Sequence, residues 1–268
     1  MILSGDNLVL TVAQASCIAI PAAGLPRWAE RFRGPAWALI LPLCIVVVIG
    51  AIQLVPSTAD VLTWVALIGV PVGCALALGW AAEGARPVLA LLAAPLLAIA
   101  WTHQHDRLGQ VATILLIAGS TVTAGRLLAS VAPLTLLKAG VIAMAAVDAA
   151  MVFSGSLQAP NQVLVSAVPA TGLPQLQSAS FGGWGMGYGD FFAAAVVGGL
   201  LAAEGRPRLL GAAAMVVLAV GWDQLFLVYD VLPATIPPAL VLVGYELWSR
   251  RRATTEAPRL LPLRGESN

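Results

Sequence analysis

Nine apolar runs separated by short polar breaks constrain this chain more than any other feature. They fall at 7–24, 35–55, 61–80, 87–101, 108–125, 134–153, 187–203, 209–228 and 233–248. A helix needs roughly 20 mostly apolar residues to cross the hydrocarbon core of a bilayer. The fourth run is short and borrows flanking residues to reach that length. The first has no basic segment ahead of it, so it reads as a retained span rather than a cleaved signal peptide. Composition agrees: 59% of the 268 residues are hydrophobic and 10% are charged, which places the chain in the membrane class. A formal net charge of +1 gives no reason to expect nucleic acid as a partner.

The basic residues test this division, because loops between nine spans must alternate sides. With the N-terminus outside, Arg27, Arg31, Arg33, Arg86, Arg126, Lys138, Arg206, Arg208, Arg250, Arg251, Arg252, Arg259 and Arg264 all fall inside. Arg107 alone of the 14 basic residues falls outside, a strong positive-inside bias. A missed or invented span would break the alternation and smear that bias. The expectation is therefore an all-α polytopic membrane protein with nine transmembrane helices and a cytoplasmic C-terminus. No internal repeat is visible. The arginine-rich, proline-containing tail at 250–268 is expected to anchor at the inner surface and to be disordered beyond it.

One connection is long. It covers 154–186, falls on the outer side and carries no charged residue. Glycine, proline, serine and glutamine punctuate it, so a continuous helix is not expected. Within it, 161–168 is rich in β-branched residues and roughly alternating, bounded by Pro160 and Pro169, which predicts a short strand. Either this segment lies on the headgroups, or its edge accepts an extended peptide through residues such as Val163 and Val165.

Charged residues inside apolar runs are expensive and mark function by default. Asp190 heads the seventh run in Gly185-Met186-Gly187-Tyr188-Gly189-Asp190, where the glycines allow close backbone approach. Asp148 lies ten residues beyond Lys138, roughly 15 Å along a helix rising 1.5 Å per residue. Asp190 lies fourteen residues before Glu204, roughly 21 Å from the inner edge by the same rise. Both depths are near the middle of a core about 30 Å thick. A lone intramembrane aspartate is often structural. Two at matching depth on consecutive antiparallel spans point to a shared proton and an activated water.

The remaining candidates read more simply. Asp223, with Gln224 beside it, suits a structural or hydration role. Glu246 snorkels or pairs with the arginines that follow it. Cys17, Cys44 and Cys74 lie singly in apolar runs as small hydrophobes. His103, His105 and Asp106 form a short solvated turn. Pro233, Pro237 and Pro238 predict an interrupted outer part of the ninth span, which a membrane tolerates beside a water-filled cavity.

Taken together, these residues resemble the GxGD intramembrane aspartyl proteases, the group of presenilin and signal peptide peptidase. Asp148 with Val152-Phe153 following resembles the aspartate motif of the sixth span, with Val147 where the family has an aromatic residue. Gly187-Tyr188-Gly189-Asp190 matches GxGD on the seventh span, and Pro238-Ala239-Leu240 matches the PAL tripeptide of the ninth. Residues 162–168 are similar to the strand-forming stretch between the two catalytic spans. The similarity covers about 139–247; the first five spans match in number only.

The resemblance implies a presenilin-like fold, with a five-span region at 1–130, a catalytic four-span region at 131–249 and the tail at 250–268. It implies Asp148 and Asp190 as catalytic acids. Gly187, Gly189, Pro238, Ala239, Leu240, Val163 and Val165 would then shape the active site and bind substrate, with no metal or cofactor. The partners it implies are transmembrane-helix substrates within membrane lipid. The outer loop orientation is similar to signal peptide peptidase and points to helices with a cytoplasmic N-terminus, such as remnant signal peptides. An Ala-, Gly- and Arg-rich, Lys-poor composition fits a prokaryotic plasma membrane. Prepilin peptidases also carry GxGD, but with cysteine pairs this chain lacks and without PAL. A transporter or channel using the acids as a proton or cation relay is the alternative from another class, and a silent helix-binding scaffold is a third.

Overall fold

The computed structural model describes residues 5–24, 27–229 and 231–256, without the side chains of 27, 30 and 252–256. Asp230 and the predicted tail at 257–268 lie outside the described residues. The protein is mostly helical, at 76%. Its helices are α1 (Gly5–Ala19), α2 (Ile40–Leu54), α3 (Thr58–Leu76), α4 (Ala93–Thr102), α5 (Arg107–Val131) and α6 (Leu134–Phe153). They continue with α7 (Gln158–Ser166), α8 (Tyr188–Ala203), α9 (Arg208–Asp223) and α10 (Ile236–Glu256).

Every predicted apolar run coincides with a helix. Five helical segments among the described residues are long and apolar enough to cross a membrane: Pro35–Leu54, Thr58–Ala81, Arg107–Val131, Leu134–Phe153 and Arg208–Leu227. Pro87–Thr102 and Tyr188–Ala203 are apolar but shorter. Tightened or widened turns extend several of these helices, including a 3-10 turn at Pro35–Leu39 ahead of α2 and a π turn at Ala77–Ala81 after α3.

α8 is the axis of the bundle. Ten consecutive residues from Ala193 to Ala202 are buried, so this helix has no outward face. Small residues make that possible. A Cβ on Gly125 would come within 2.5 Å of the Ala195 backbone, and one on Gly199 within 2.8 Å of the Gly125 carbonyl oxygen. One on Gly198 would sit 2.6 Å from the Cys17 carbonyl. α8 therefore lies backbone to backbone against α5 and α1, the close approach that small residues permit between membrane helices. α6, α9 and α10 also pack on it, while α2, α3 and α4 form an outer layer against α5 and α6.

Charge segregates to the two ends. Lys138 of α6 pairs with Glu204 after α8 and, at 2.8 Å, with Glu246 of α10. Arg206 joins the same two glutamates at 2.8 and 3.0 Å, and Arg208 meets Glu83 at 2.6 Å. At the opposite end Arg107 lies 3.7 Å from Asp6. Residues that the charge rule assigns to one side thus meet at one end. Glu246 pairs with Lys138 and Arg206.

Three local expectations are corrected. The segment 161–168 is not a strand: α7 runs through it, ending at Ser166. The strands of this connection are β1 (Ser178–Phe181) and β2 (Trp184–Gly187), an antiparallel hairpin with Phe181 opposite Trp184. Its two-residue turn is Gly182-Gly183, at φ +56° and +92°, where both positions need the left-handed region and glycine supplies it without strain. Secondly, the prolines of the ninth apolar run break no helix interior: 233–235, with Pro233, precede the helix. Pro237 and Pro238 sit in the first turn of α10, where a missing N–H leaves no bond unmade. Thirdly, α10 continues through Glu256, so the start of the expected tail is helical.

Candidate active site

A cavity of about 1360 Å³ lies among α2, α3, α5, α6, α7, α8 and the hairpin. Asp148, from the C-terminal half of α6, and Asp190, from the first turn of α8, both line it. Asp148 is 7% exposed and Asp190 half-buried.

Each acid has its own donors. Thr235 Oγ1 donates to Asp148 Oδ2 at 2.6 Å. Asp190 Oδ2 accepts from the Gly187 N–H at 3.0 Å, a bond that closes the GxGD turn on itself. Gln14 of α1, 2% exposed, then ties the two halves together. Its Nε2 donates to the Asp190 carbonyl at 3.0 Å and to the Ala234 carbonyl at 3.1 Å. One unbroken path thus runs from the Asp190 backbone through Gln14 to Ala234-Thr235 and on to the Asp148 carboxylate.

The cavity is apolar on one side and polar on the other. Ile45, Val48, Leu62 and Val65 of α2 and α3 form the apolar wall. Gln110, Thr113 and Ser120 of α5 form a polar stripe at helical spacing, leading from a mouth that includes Gln104 and His105. At its inner end Ser120 Oγ and Tyr188 Oη are 2.9 Å apart, and Tyr188 is the variable residue of the GxGD motif. Such a wall offers water a route from one end of the bundle to the two acids.

Of the other predicted site residues, Gly187, Gly189 and Val165 line the cavity. Val163 does not; it packs against Ile52, Ala59 and Ala167 beneath α7. Pro238 and Ala239 are buried beside the cavity without lining it, and Leu240 is 43% exposed. Thr235, three residues ahead of Pro238, reaches the acids instead. Gln14, Ser120 and Thr235 have no sequence signal beyond being polar in apolar surroundings. Asp223, half-buried on α9, accepts from Asn7 Nδ2 at 2.8 Å and stands apart from the cavity.

In the turn between α4 and α5, Asp106 caps α5 by accepting from Leu108 and Gly109, both at 3.0 Å, and meets His103 Nδ1 at 2.7 Å. The Gly109 N–H, and then His103, hold this carboxyl below the usual carboxylate range. His105 faces the cavity mouth, not this pair. Among the described residues no three His, Cys, Asp or Glu side chains converge as a metal-binding group. No family model, curated protein or solved structure matches this chain.

Proposed function

We propose that this chain is an intramembrane aspartyl endopeptidase that hydrolyses peptide bonds within transmembrane helices. The observation that carries the reading is that Asp148 and Asp190, from different helices, line one cavity whose wall is polar on one side. In the reaction one acid is ionised and takes a proton from water, while the other is protonated and donates to the scissile carbonyl. Two carboxyls lining one cavity can share a single proton, which suits that division of labour.

The apolar wall from α2 and α3 is suited to an apolar helix, and the volume to a stretch of one. Peptide bonds in a helix are shielded, so the substrate unwinds locally, and its freed backbone groups need partners. A two-stranded sheet has free edges, so β1 and β2 take the pairing role expected of 162–168. Pro238 and Ala239 fix the start of α10 and so place Thr235. We assign the chain nine spans, an outer N-terminus and inner ionic clusters. The substrates are then helices with a cytoplasmic N-terminus, such as remnant signal peptides.

The test is incubation of the purified protein in liposomes with a labelled signal-peptide substrate, under a pH gradient. Fragments ending inside the apolar segment support the protease. Proton-coupled flux with an intact substrate overturns it in favour of a transporter.

A further inference from the structure

We propose that the crevice between α1 and α5 holds one acyl chain of a phospholipid whose headgroup carries both an ammonium and a phosphodiester, seated on Asp6 and Arg107. The inference goes beyond the protease reading and does not depend on it. The crevice has a volume of about 410 Å³ and shares no lining residue with the cavity of the two acids. Leu8 and Val12 of α1 and Val111 and Leu115 of α5 line it, all four exposed apolar side chains. Ala13 and Ala118, both less exposed, line it too, and their small side chains leave it open.

Depth selects the occupant. On α1 the crevice runs from Gly5 to Ser16, eleven residues along, or roughly 16 Å at 1.5 Å per residue. There the two helices close: the Cys17 thiol lies 3.7 Å from Thr121 Oγ1, and both residues are buried. Past Leu115 no residue of α5 is exposed. A core about 30 Å thick gives each leaflet about 15 Å, so the crevice reaches from one end of the bundle to mid-membrane and stops. A partner helix crosses both leaflets and would lose its groove halfway. An acyl chain ends at the midplane and fits along its whole length.

The mouth supplies the headgroup contacts. Asp6 and Arg107 stand in the first turns of α1 and α5, one on each side, with Arg107 Nη2 3.7 Å from Asp6 Oδ1. That separation makes an ion pair but is too long for a hydrogen bond. The guanidinium therefore keeps its donors for a phosphate, whose oxygens its planar fork matches. Arg107 is largely exposed, and its guanidinium lies 5.7 Å from the centre of the Phe181 ring, which steadies it. Asp6 is pressed against the hairpin turn, where a Cβ on Gly182 would collide with its carboxylate. A carboxylate repels a phosphate that arrives alone, so a purely anionic headgroup gains little here. A headgroup that brings an ammonium gives Asp6 a partner of its own and leaves the phosphate to Arg107. Phosphatidylethanolamine carries that pair of charges, and phosphatidylglycerol only the phosphate.

The experiment takes the full chain in detergent, strips it of lipid and titrates it with each lipid in mixed micelles, reading bound lipid per chain by native mass spectrometry. The parent should bind one phosphatidylethanolamine about tenfold or more tightly than phosphatidylglycerol. Asp6→Asn should remove that preference, and Arg107→Gln should weaken both lipids by about tenfold or more. Gly5→Leu fills the mouth at a position where nothing lies within 4 Å of the Cβ. It should displace both lipids while its lipid-free unfolding temperature stays like the parent's. Equal binding of the two lipids by the parent, or tight phosphatidylethanolamine retained in Gly5→Leu, overturns the proposal. So does a dimer that Gly5→Leu dissolves, which would put a second copy of the chain on this face. None of these readouts requires cleavage, so failure here leaves the protease reading untouched.

Discussion

The side-chain amide of Gln14 donates to the carbonyl oxygens of Asp190 and Ala234 at 3.0 and 3.1 Å, joining two segments more than forty residues apart through a third helix. Gln14→Leu keeps the bulk and removes both bonds. Leaving these acceptors without their donor costs about 1–3 kcal/mol, read as a lower unfolding temperature in detergent. If the path positions the acids, kcat/KM should also fall by roughly 100-fold, the scale of an ångström-sized misplacement. A variant that is destabilised yet fully active would show that Gln14 serves stability only.

Close packing around α8 gives a second expectation. In Gly125→Leu and Gly199→Leu the new β-carbon alone would lie within 3 Å of neighbouring backbone, and the rest of the side chain would have to displace it. Overpacking of this kind costs about 1–3 kcal/mol or more. Gly50→Ala on α2 is the control, since nothing lies within 4 Å of its Cβ position. It should be neutral or slightly stabilising. Thermal unfolding of the three variants separates these outcomes.

The positions of the apolar helices are legible in the sequence because each apolar run coincides with a helix, five of them among the described residues long and apolar enough to cross a membrane. Asp148 and Asp190 are legible for the complementary reason: a charge inside such a run stands out. Thr235 and Gln14 are not, because a neutral polar residue among apolar ones signals nothing until its partner is known. Their partners lie 87 residues away for Thr235 and 176 for Gln14. The β-branched alternation at 161–168 points to a strand, but the surroundings of the segment favour a helix. Gln175 and Gln177 donate to the carbonyls that end α7, including Val165, Leu164 and Ala167. That capping is a tertiary effect. The hairpin does carry a local sign, two glycines between short runs at 178–181 and 184–187. The prolines mislead differently: they break a helix interior but suit a first turn, and only the start of α10 distinguishes the two.

Lys138 bridges Glu204 and Glu246, so one side chain pins the ends of α6, α8 and α10. These helices carry or adjoin Asp148, Asp190 and Thr235. Lys138→Met leaves two partly buried glutamates sharing Arg206 alone. Breaking one partner of a buried pair costs about 3–5 kcal/mol, and partial exposure reduces this to about 2 kcal/mol. Lys138→Arg should restore most of the loss. Unfolding temperatures of the two variants check this.

Asp106 gives a dependence on pH at the opposite end of the bundle. Its folded carboxyl titrates below the ordinary value, first through the Gly109 N–H and then through His103. A depressed carboxylate stabilises the fold above its unfolded pKa, near 3.9, and loses that contribution as pH falls through the lower, folded value. Asp106→Asn keeps the helix cap and removes the titration. The stability gap between parent and variant should be steady from pH 7 to about 5 and close at more acidic pH. A constant gap down to pH 3 would contradict the assignment.

The most direct measurement compares kcat/KM for Asp148→Asn, Asp190→Asn and the double variant on one transmembrane substrate. Two acids acting as a unit are not additive, so each single variant should lose at least about 1000-fold and the double variant no more than either. Losses that multiply, or a single variant that retains the parent rate, would show that the two carboxyls do not share one reaction.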